Sequence, residues 1–164
     1  MKLPTLSLAI LFLCIIASVQ AQSPPRFESY PAFGHFSGKP APAIISHPRA
    51  RLFRTTILNQ AKGEPNFAGY YHVATWGCGS GCEGLAVIDA RTGRVYFNPL
   101  ALNVATVPYQ NEERLQFHLD SRLLIISGAV DGSNGYQAEA KFYFEWGNNR
   151  FRLIRKTEIE RYNP

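Results

Sequence analysis

The sequence lacks the motifs that identify most hydrolases, nucleotide-binding proteins and metalloproteases. It contains no Gly-x-Ser-x-Gly nucleophile elbow, no glycine-rich phosphate loop and no His-Glu-x-x-His pair. No internal repeat is strong enough to indicate a propeller. The net charge is +5, but no basic cluster is interleaved with a recognised nucleic-acid-binding motif, so we expect no nucleic-acid partner.

Long apolar runs are absent after the first 21 residues, which themselves have the pattern of a secretory signal peptide. Lys2 supplies the positive start, an apolar run continues to Ala17, and Val19-Gln20-Ala21 precedes the predicted cleavage site. The run falls short of the roughly 20 residues that span a bilayer, although an uncleaved anchor is the alternative. We therefore predict an exported protein, periplasmic or secreted, with no stable membrane insertion after cleavage.

Cysteine is scarce, with three residues in the chain, and Cys14 lies within the predicted signal peptide. The two that remain, Cys78 and Cys82, enclose Gly79-Ser80-Gly81. In an oxidising compartment this spacing predicts a disulfide, and the glycines permit the tight backbone that it requires. Closing five residues contributes only about 2 kcal/mol, so the bridge would shape one loop rather than stabilise the whole fold.

The same cysteine pair leaves three chemical alternatives open. It could exchange disulfides, bind Cu(I) with His72 or His118 as a third ligand, or supply a nucleophile to a histidine base. Copper-delivery proteins with a C-x-x-x-C motif have proline after the second cysteine, whereas Glu83 follows Cys82 here. We expect no metal and no cofactor, with Cys78, Cys82 and His72 as the alternative metal set.

Proline is dense only near the start, where residues 22–48 hold six of the eleven prolines. This density forbids a helix, and the interleaved aromatic residues require burial. We predict an extended arm over 22–48 that packs on a single domain over 49–164, with an edge strand near Ala43–Ile45.

Beyond the arm, the apolar pattern changes from helical to alternating. Pro48 and Gly63 are suited to the start and end of one amphipathic helix, and the remainder alternates over short segments joined by tight turns. No connection is long enough for a parallel crossover. The prediction is an α+β fold: one helix near the N-terminal side, packed on an antiparallel β meander that forms a curved sheet or partly closed barrel.

The candidate binding loop follows the first predicted strand. Tyr70, His72 and Trp76 are expected on one strand face, with Ser80 in the disulfide loop, where they could stack on a ring or contact a partner. Asp89 and Asp120 lie near turns, where carboxylates serve acid–base chemistry or, more commonly, bond nearby backbone amides.

Several segments resemble a family of small uncharacterised exported bacterial proteins. The resemblance rests on 67–71 (FAGYY), on 76–82 (WGCGSGC), on 87–96 (VIDARTGRVY) and on 51–55 (RLFRT). Together they match a W-G-C-G-x-x-C … D-x-x-T-G-x-V-Y signature. The resemblance implies a bacterial envelope protein, and it carries over no substrate and no catalytic residue.

The functional prediction is a binding domain without catalytic residues, acting on an unknown protein or envelope component. One concrete form is an inhibitor of an enzyme that attacks the envelope, because a small basic β domain with one rigid loop suits that role. The alternative is a thiol-based redox or copper-binding protein that uses Cys78 and Cys82.

Overall fold

Alternating apolar and polar residues build one antiparallel sheet. The computed structural model describes residues 23–105 and 113–159, so the predicted signal peptide, 1–21, lies outside the described residues. The strands are β1 (Tyr71–Gly79), β2 (Cys82–Asp89), β3 (Val95–Tyr96), β4 (Asn103–Ala105), β5 (Leu115–Phe117), β6 (Leu123–Gly132), β7 (Gly135–Gly147) and β8 (Arg150–Thr157).

The sheet follows the order β1-β2-β4-β6-β7-β8, and it is not closed. β3 pairs with β2, and β5 pairs with β6. The short strand β4 joins two long antiparallel units, since it pairs with β2 on one side and with β6 on the other. The predicted antiparallel α+β fold with a curved sheet is confirmed.

The main core lies between the two units of the sheet. Successive residues of a strand point to opposite faces, so alternate side chains of both units enter the same interior. Its fully buried members include Phe67, Val87, Val104, Leu124, Ile126, Phe142 and Phe144. Aromatic rings fill the end of this interior, where Tyr71 meets Trp146 at a centroid distance of 5.0 Å.

The predicted single helix consists of two short ones, α1 (Pro48–Leu52) and α2 (Arg54–Gln60). They are divided at Phe53, whose φ of −112° and ψ of 25° leave the helical region. Pro48 opens the first turn, as predicted. In the described residues no helix is long and apolar enough to cross a membrane.

Both faces of β1 and β2 are covered. Buried residues of the helical segment, with Ile57 fully inaccessible, pack against Ala74, Trp76 and Ile88 on the outer face. The inner face belongs to the main core. Strand alternation therefore does not mark a solvent-exposed face on these two strands.

The proline-rich arm packs along the domain, but it is not extended throughout, because Phe27–Ser29 forms one short turn of 3-10 helix between Pro25 and Pro31. Phe27 and Tyr30 contact a second outer cluster on β6 and β7. Farther along, the backbone N–H of Ile44 donates to the carbonyl of Gly93. Gly93 has a φ of +72°, and a Cβ there would lie 2.0 Å from the carbonyl oxygen of Pro42, so glycine allows the arm's close approach. The strand predicted at Ala43–Ile45 is reduced to one bridge, between Ile44 and Arg94.

Candidate functional site

The β1–β2 hairpin ends in a tip, residues 77–81, that is closed by a disulfide. Cys78 and Cys82 are bonded, with their Cα atoms 5.1 Å apart. All five tip residues are exposed, and a Cβ added at Gly77 or Gly79 would meet no atom within 4 Å. The tip therefore projects from the sheet, and the covalent bond takes the place of packing in fixing its shape.

Trp76 anchors the base of this hairpin instead of presenting its ring to solvent. The side chain is 7% exposed and stacks on Phe53 at a centroid distance of 4.3 Å. Its indole lies directly against Gly84 on the opposite strand, where a Cβ would come within 2.3 Å of Nε1. Trp76 thus joins β1, β2 and the helical segment below the tip.

The other predicted site residues are spread along β1. His72 shares the outer face with Trp76, and its Nδ1 lies 2.8 Å from the carbonyl oxygen of Glu64. Tyr70 precedes β1 and packs on the main core, with the Arg91 guanidinium 4.3 Å from its ring centroid. Ser80 alone is at the exposed tip. The structure does not bring the four residues together.

The alternative metal set is separated in the same way. His72 lies six residues before Cys78 on the strand, which corresponds to about 20 Å at the rise of an extended chain. Across the described parts of the chain, no three His, Cys, Asp or Glu side chains are grouped to hold a metal ion. His118, the other ligand considered, stacks on Phe27 at a centroid distance of 3.9 Å.

A polar network that sequence patterns did not indicate fixes the opposite end of β1. Asp89 is 3% exposed and accepts two hydrogen bonds of 2.9 Å from the Arg91 guanidinium. Arg91 also donates to the Tyr71 hydroxyl, which donates to Asn149 in the β7–β8 turn. The hydrogen bonds to Asp89 raise the pKa of Arg91, so the arginine stays charged.

Asp89 also accepts a 2.9 Å hydrogen bond from the backbone N–H of Arg91. This contact matches the expectation that a carboxylate near a turn bonds nearby amides. Arg91 connects Asp89 to Tyr71 in β1, and Tyr71 connects it in turn to Asn149 in the distant β7–β8 turn. Sequence spacing carries no signal of such contacts.

Side-chain amides cover the outer edge of β1. Gln60 donates from Nε2 to the carbonyl of Thr75 at 2.6 Å and accepts from the Thr75 N–H at 3.1 Å. Asn66 accepts from the N–H of Val73 at 2.7 Å. These amides replace the strand neighbour that β1 lacks on this side, so the edge is closed to another strand.

A shallow cavity of about 220 Å³ lies between the arm and the segment before β1. His35, Ser37, Glu64 and Leu119 are among the residues that line it. The Nε2 atom of His35 is 2.7 Å from Asp120 Oδ1, and both side chains are largely exposed. This pair connects the arm to the β5–β6 turn, and an exposed pair of this kind contributes little stability.

Arginines surround one partly buried carboxylate on the outer face of β7 and β8. Glu145 accepts from Arg122 at 2.7 Å and also from Arg152. Arg122, followed by Arg152, lowers the pKa of Glu145 against the opposing effect of burial. Glu145 is therefore ionised, and its charge is already matched by two guanidinium groups.

Comparison with protein-family models, with curated proteins and with solved structures gives no match for this chain.

Proposed function

We propose that this protein is an exported binding domain whose contact surface is the disulfide-closed tip, residues 77–81. The observation that carries the proposal is the tip's geometry: five exposed residues, closed by Cys78–Cys82, project from a buried base. A loop that is rigid before binding loses less conformational entropy in a complex. Closing the tip adds little to the stability of the fold, so we assign the Cys78–Cys82 disulfide to recognition.

The base of the hairpin supports this role. Trp76 is clamped between Phe53 and the backbone of Gly84, so the tip stands on a fixed platform. The tip itself carries small and uncharged side chains. Such a surface suits a narrow cleft on a partner protein or envelope component, where backbone groups make the contacts.

An inhibitor of an enzyme that attacks the envelope is the specific form we propose. A rigid projecting hairpin can enter a substrate cleft and occupy it without offering a bond to cleave. An inhibitor with a disulfide-closed tip also suits an oxidising compartment, to which the predicted signal peptide would deliver the chain. Periplasmic and extracellular locations both satisfy this proposal.

A pair of matched turn variants tests the contact surface. Ser80→Arg places a bulky charge at the tip, whereas Ser133→Arg places the same side chain in the exposed β6–β7 turn. Each variant is used as bait in an envelope extract. We expect Ser80→Arg to lose the proteins captured by the wild type and Ser133→Arg to retain them.

The cysteines provide a second comparison. Replacing both Cys78 and Cys82 by serine should weaken capture while the protein remains folded by circular dichroism. Equal capture by the wild type, Ser80→Arg and the double serine variant would refute the tip as the contact surface. A muramidase assay on purified cell walls tests the inhibitor form separately, and absence of inhibition would reject that form alone.

The exposure of Cys78 favours one second candidate, thiol–disulfide exchange. A thiolate can reach an exposed disulfide, attack one sulfur and release the other cysteine as a thiol. Thiol counting on the freshly exported protein distinguishes the candidates. Two free thiols, or copper retained through gel filtration, would favour the redox or copper-binding role, and a fully oxidised pair without metal would favour the binding domain.

A further inference from the structure

The two edge strands of the sheet differ in whether their outer backbone groups have hydrogen-bond partners. The β1 edge is occupied by the amides of Gln60 and Asn66. At the other edge, β8 pairs with β7 and with no other strand of the described residues. An edge strand with unpaired backbone groups is a template on which another strand can form hydrogen bonds.

The register identifies the backbone groups of β8 that face outward. Trp146 pairs with Phe151, yet the Trp146 N–H donates to the backbone carbonyl of Arg122, on the side away from β8. Antiparallel partners alternate between bonded and non-bonded pairs, so Phe151 and Leu153 direct their N–H and C=O groups away from β7. These two residues form a short, regular docking edge.

The positive charge of β8 determines which kind of strand can pair with its outer edge. Half of its eight residues are basic and none is acidic; the basic residues are Arg150, Arg152, Arg155 and Lys156. The nearest acidic residue in the sheet, Glu145, pairs with Arg122 and with one terminal nitrogen of Arg152, whose side chain is still 69% exposed and keeps further N–H groups for a partner. A second copy of β8 would be repelled by like charge, whereas an acidic strand would be attracted.

The spacing of the charges also favours an extended partner. Arg150 and Arg152 are two residues apart, and so their side chains share a face at a repeat of about 7 Å. An extended peptide with carboxylates at alternate positions has the same repeat. Arginine pairs with carboxylates through two parallel hydrogen bonds, which adds geometric selectivity to the attraction.

A groove lies where this regular edge ends. The pairing with β7 shifts between Tyr143 and Phe144, opposite Ile154 in β8. Beside it is a groove of about 460 Å³ whose lining includes Arg26, Tyr30, Ile154 and Arg155; none of the described residues that line it is acidic. It can accept the carboxylate at one end of a peptide that follows Arg150–Leu153.

We propose that the outer edge of β8 is a second binding site, which takes an extended acidic segment of a partner protein as an added strand. The segment pairs with the backbone of Phe151 and Leu153, places alternate carboxylates against Arg150 and Arg152, and ends in the groove beside Arg26. This site is separate from the hairpin tip and does not depend on the role proposed for the tip.

A fluorescein-labelled peptide, Thr-Glu-Val-Glu-Val-Glu-Thr, serves as the probe for the whole protein. Anisotropy should show saturable binding that weakens as salt rises from 50 to about 200 mM, because surface charges are screened. Hydrogen exchange measured by NMR should show new protection at the Phe151 and Leu153 amides. One control peptide replaces Glu by Gln, and another keeps the charge but replaces Val by Pro; both should bind at least about tenfold more weakly.

Two pairs of protein variants locate the site. Arg150→Gln should weaken peptide binding about tenfold, whereas Arg51→Gln, which removes the same charge from the exposed face of α1, should not. Arg26→Gln should weaken binding of the acidic peptide and have no effect on a peptide in which Gln replaces the outermost Glu that reaches the groove.

Three results would overturn the proposal. Equal binding of the proline peptide would show charge attraction without strand addition. Equal effects of Arg150→Gln and Arg51→Gln would show attraction to net charge alone. Protection of the Phe151 and Leu153 amides in the protein without peptide would show that the edge is already occupied. Sedimentation would then distinguish a second copy from another segment of the same chain.

Discussion

The two ends of β1 are fixed in opposite ways. At its start, Tyr71 belongs to a buried network in which Asp89 and Arg91 connect β1, β2 and the β7–β8 turn. At its end, Cys78 is held by one covalent bond across a turn whose residues are exposed. The first arrangement connects distant parts of the chain, whereas the second joins residues only four apart in sequence.

The two ends of β1 therefore distinguish contacts that stabilise the fold from a bond that only makes a loop rigid. A contact between distant segments is lost when the chain unfolds, so it contributes directly to the free energy of unfolding. A bond across a short loop removes little freedom from the unfolded chain, because that loop is nearly closed already. The start of β1 should therefore stabilise the fold, and its end should shape a surface.

The largest expected effect comes from breaking the network at the start of β1. Asp89→Ala removes the buried carboxylate that holds Arg91 against Tyr71 and so weakens the link to the β7–β8 turn, which should lower the free energy of unfolding by about 2–3 kcal/mol. The half-exposed guanidinium can recover some hydration, which limits the loss. Urea unfolding followed by fluorescence measures the change.

Asp120→Ala is the matched control for that substitution. It removes a carboxylate that also hydrogen-bonds a nitrogen-bearing side chain, that of His35, but the Asp120 side chain is 83% exposed. The free energy of unfolding should change by less than about 0.5 kcal/mol. Equal losses for Asp89→Ala and Asp120→Ala would contradict the assignment of stability to the buried network.

A smaller effect is expected at the other end of β1. Replacing Cys78 and Cys82 by serine should cost no more than about 2 kcal/mol, the loop-closure contribution for five residues. Hydrogen exchange should increase near the tip and remain unchanged around Asp89. A loss of about 4 kcal/mol or more would show that the disulfide stabilises the fold as a whole, contrary to the comparison.

The smallest effect is expected between the two ends, at the edge of β1. Gln60→Ala removes two hydrogen bonds to Thr75 but admits water in their place, so the loss should be about 1 kcal/mol. Asn59, one residue away in the same helix, has an exposed side chain that hydrogen-bonds Lys62, so Asn59→Ala should be neutral. A larger effect of the Asn59 change would show that the helix, not the amide pairing, secures this edge.

The general architecture follows from local patterns in the sequence. Alternating residues give most of the strands, and tight turns join them, as at Arg91–Gly93 and at Gly147–Asn149. The break between α1 and α2 at Phe53 could not be predicted, because the apolar residues keep a helical spacing through it. Stacking on Trp76 accompanies this break, and that partner comes from a strand distant in sequence.

The candidate site was predictable only where it depends on neighbouring residues. The disulfide and the exposed position of Ser80 follow from a glycine-rich C-x-x-x-C segment. The burial of Trp76 could not be deduced, since period-two alternation does not reveal that helices cover the second face of β1. The amide contacts of Gln60 could not be deduced either, because they depend on how α2 lies against β1.

The arm has a consequence for the order in which the chain acquires its structure. Phe27 and Tyr30 are synthesised early, but both of their carbonyls accept hydrogen bonds from the hydroxyl of Ser121, more than 90 residues later. Later parts of the arm are anchored by the carbonyls of Gly69, Ala90 and Gly93, which also come after it in the chain. As the chain emerges from its N-terminus, Phe27 and Tyr30 therefore have no surface on which to dock until β6 begins to form. The start of the arm, which is the first described segment to be synthesised, is therefore among the last to form its native contacts.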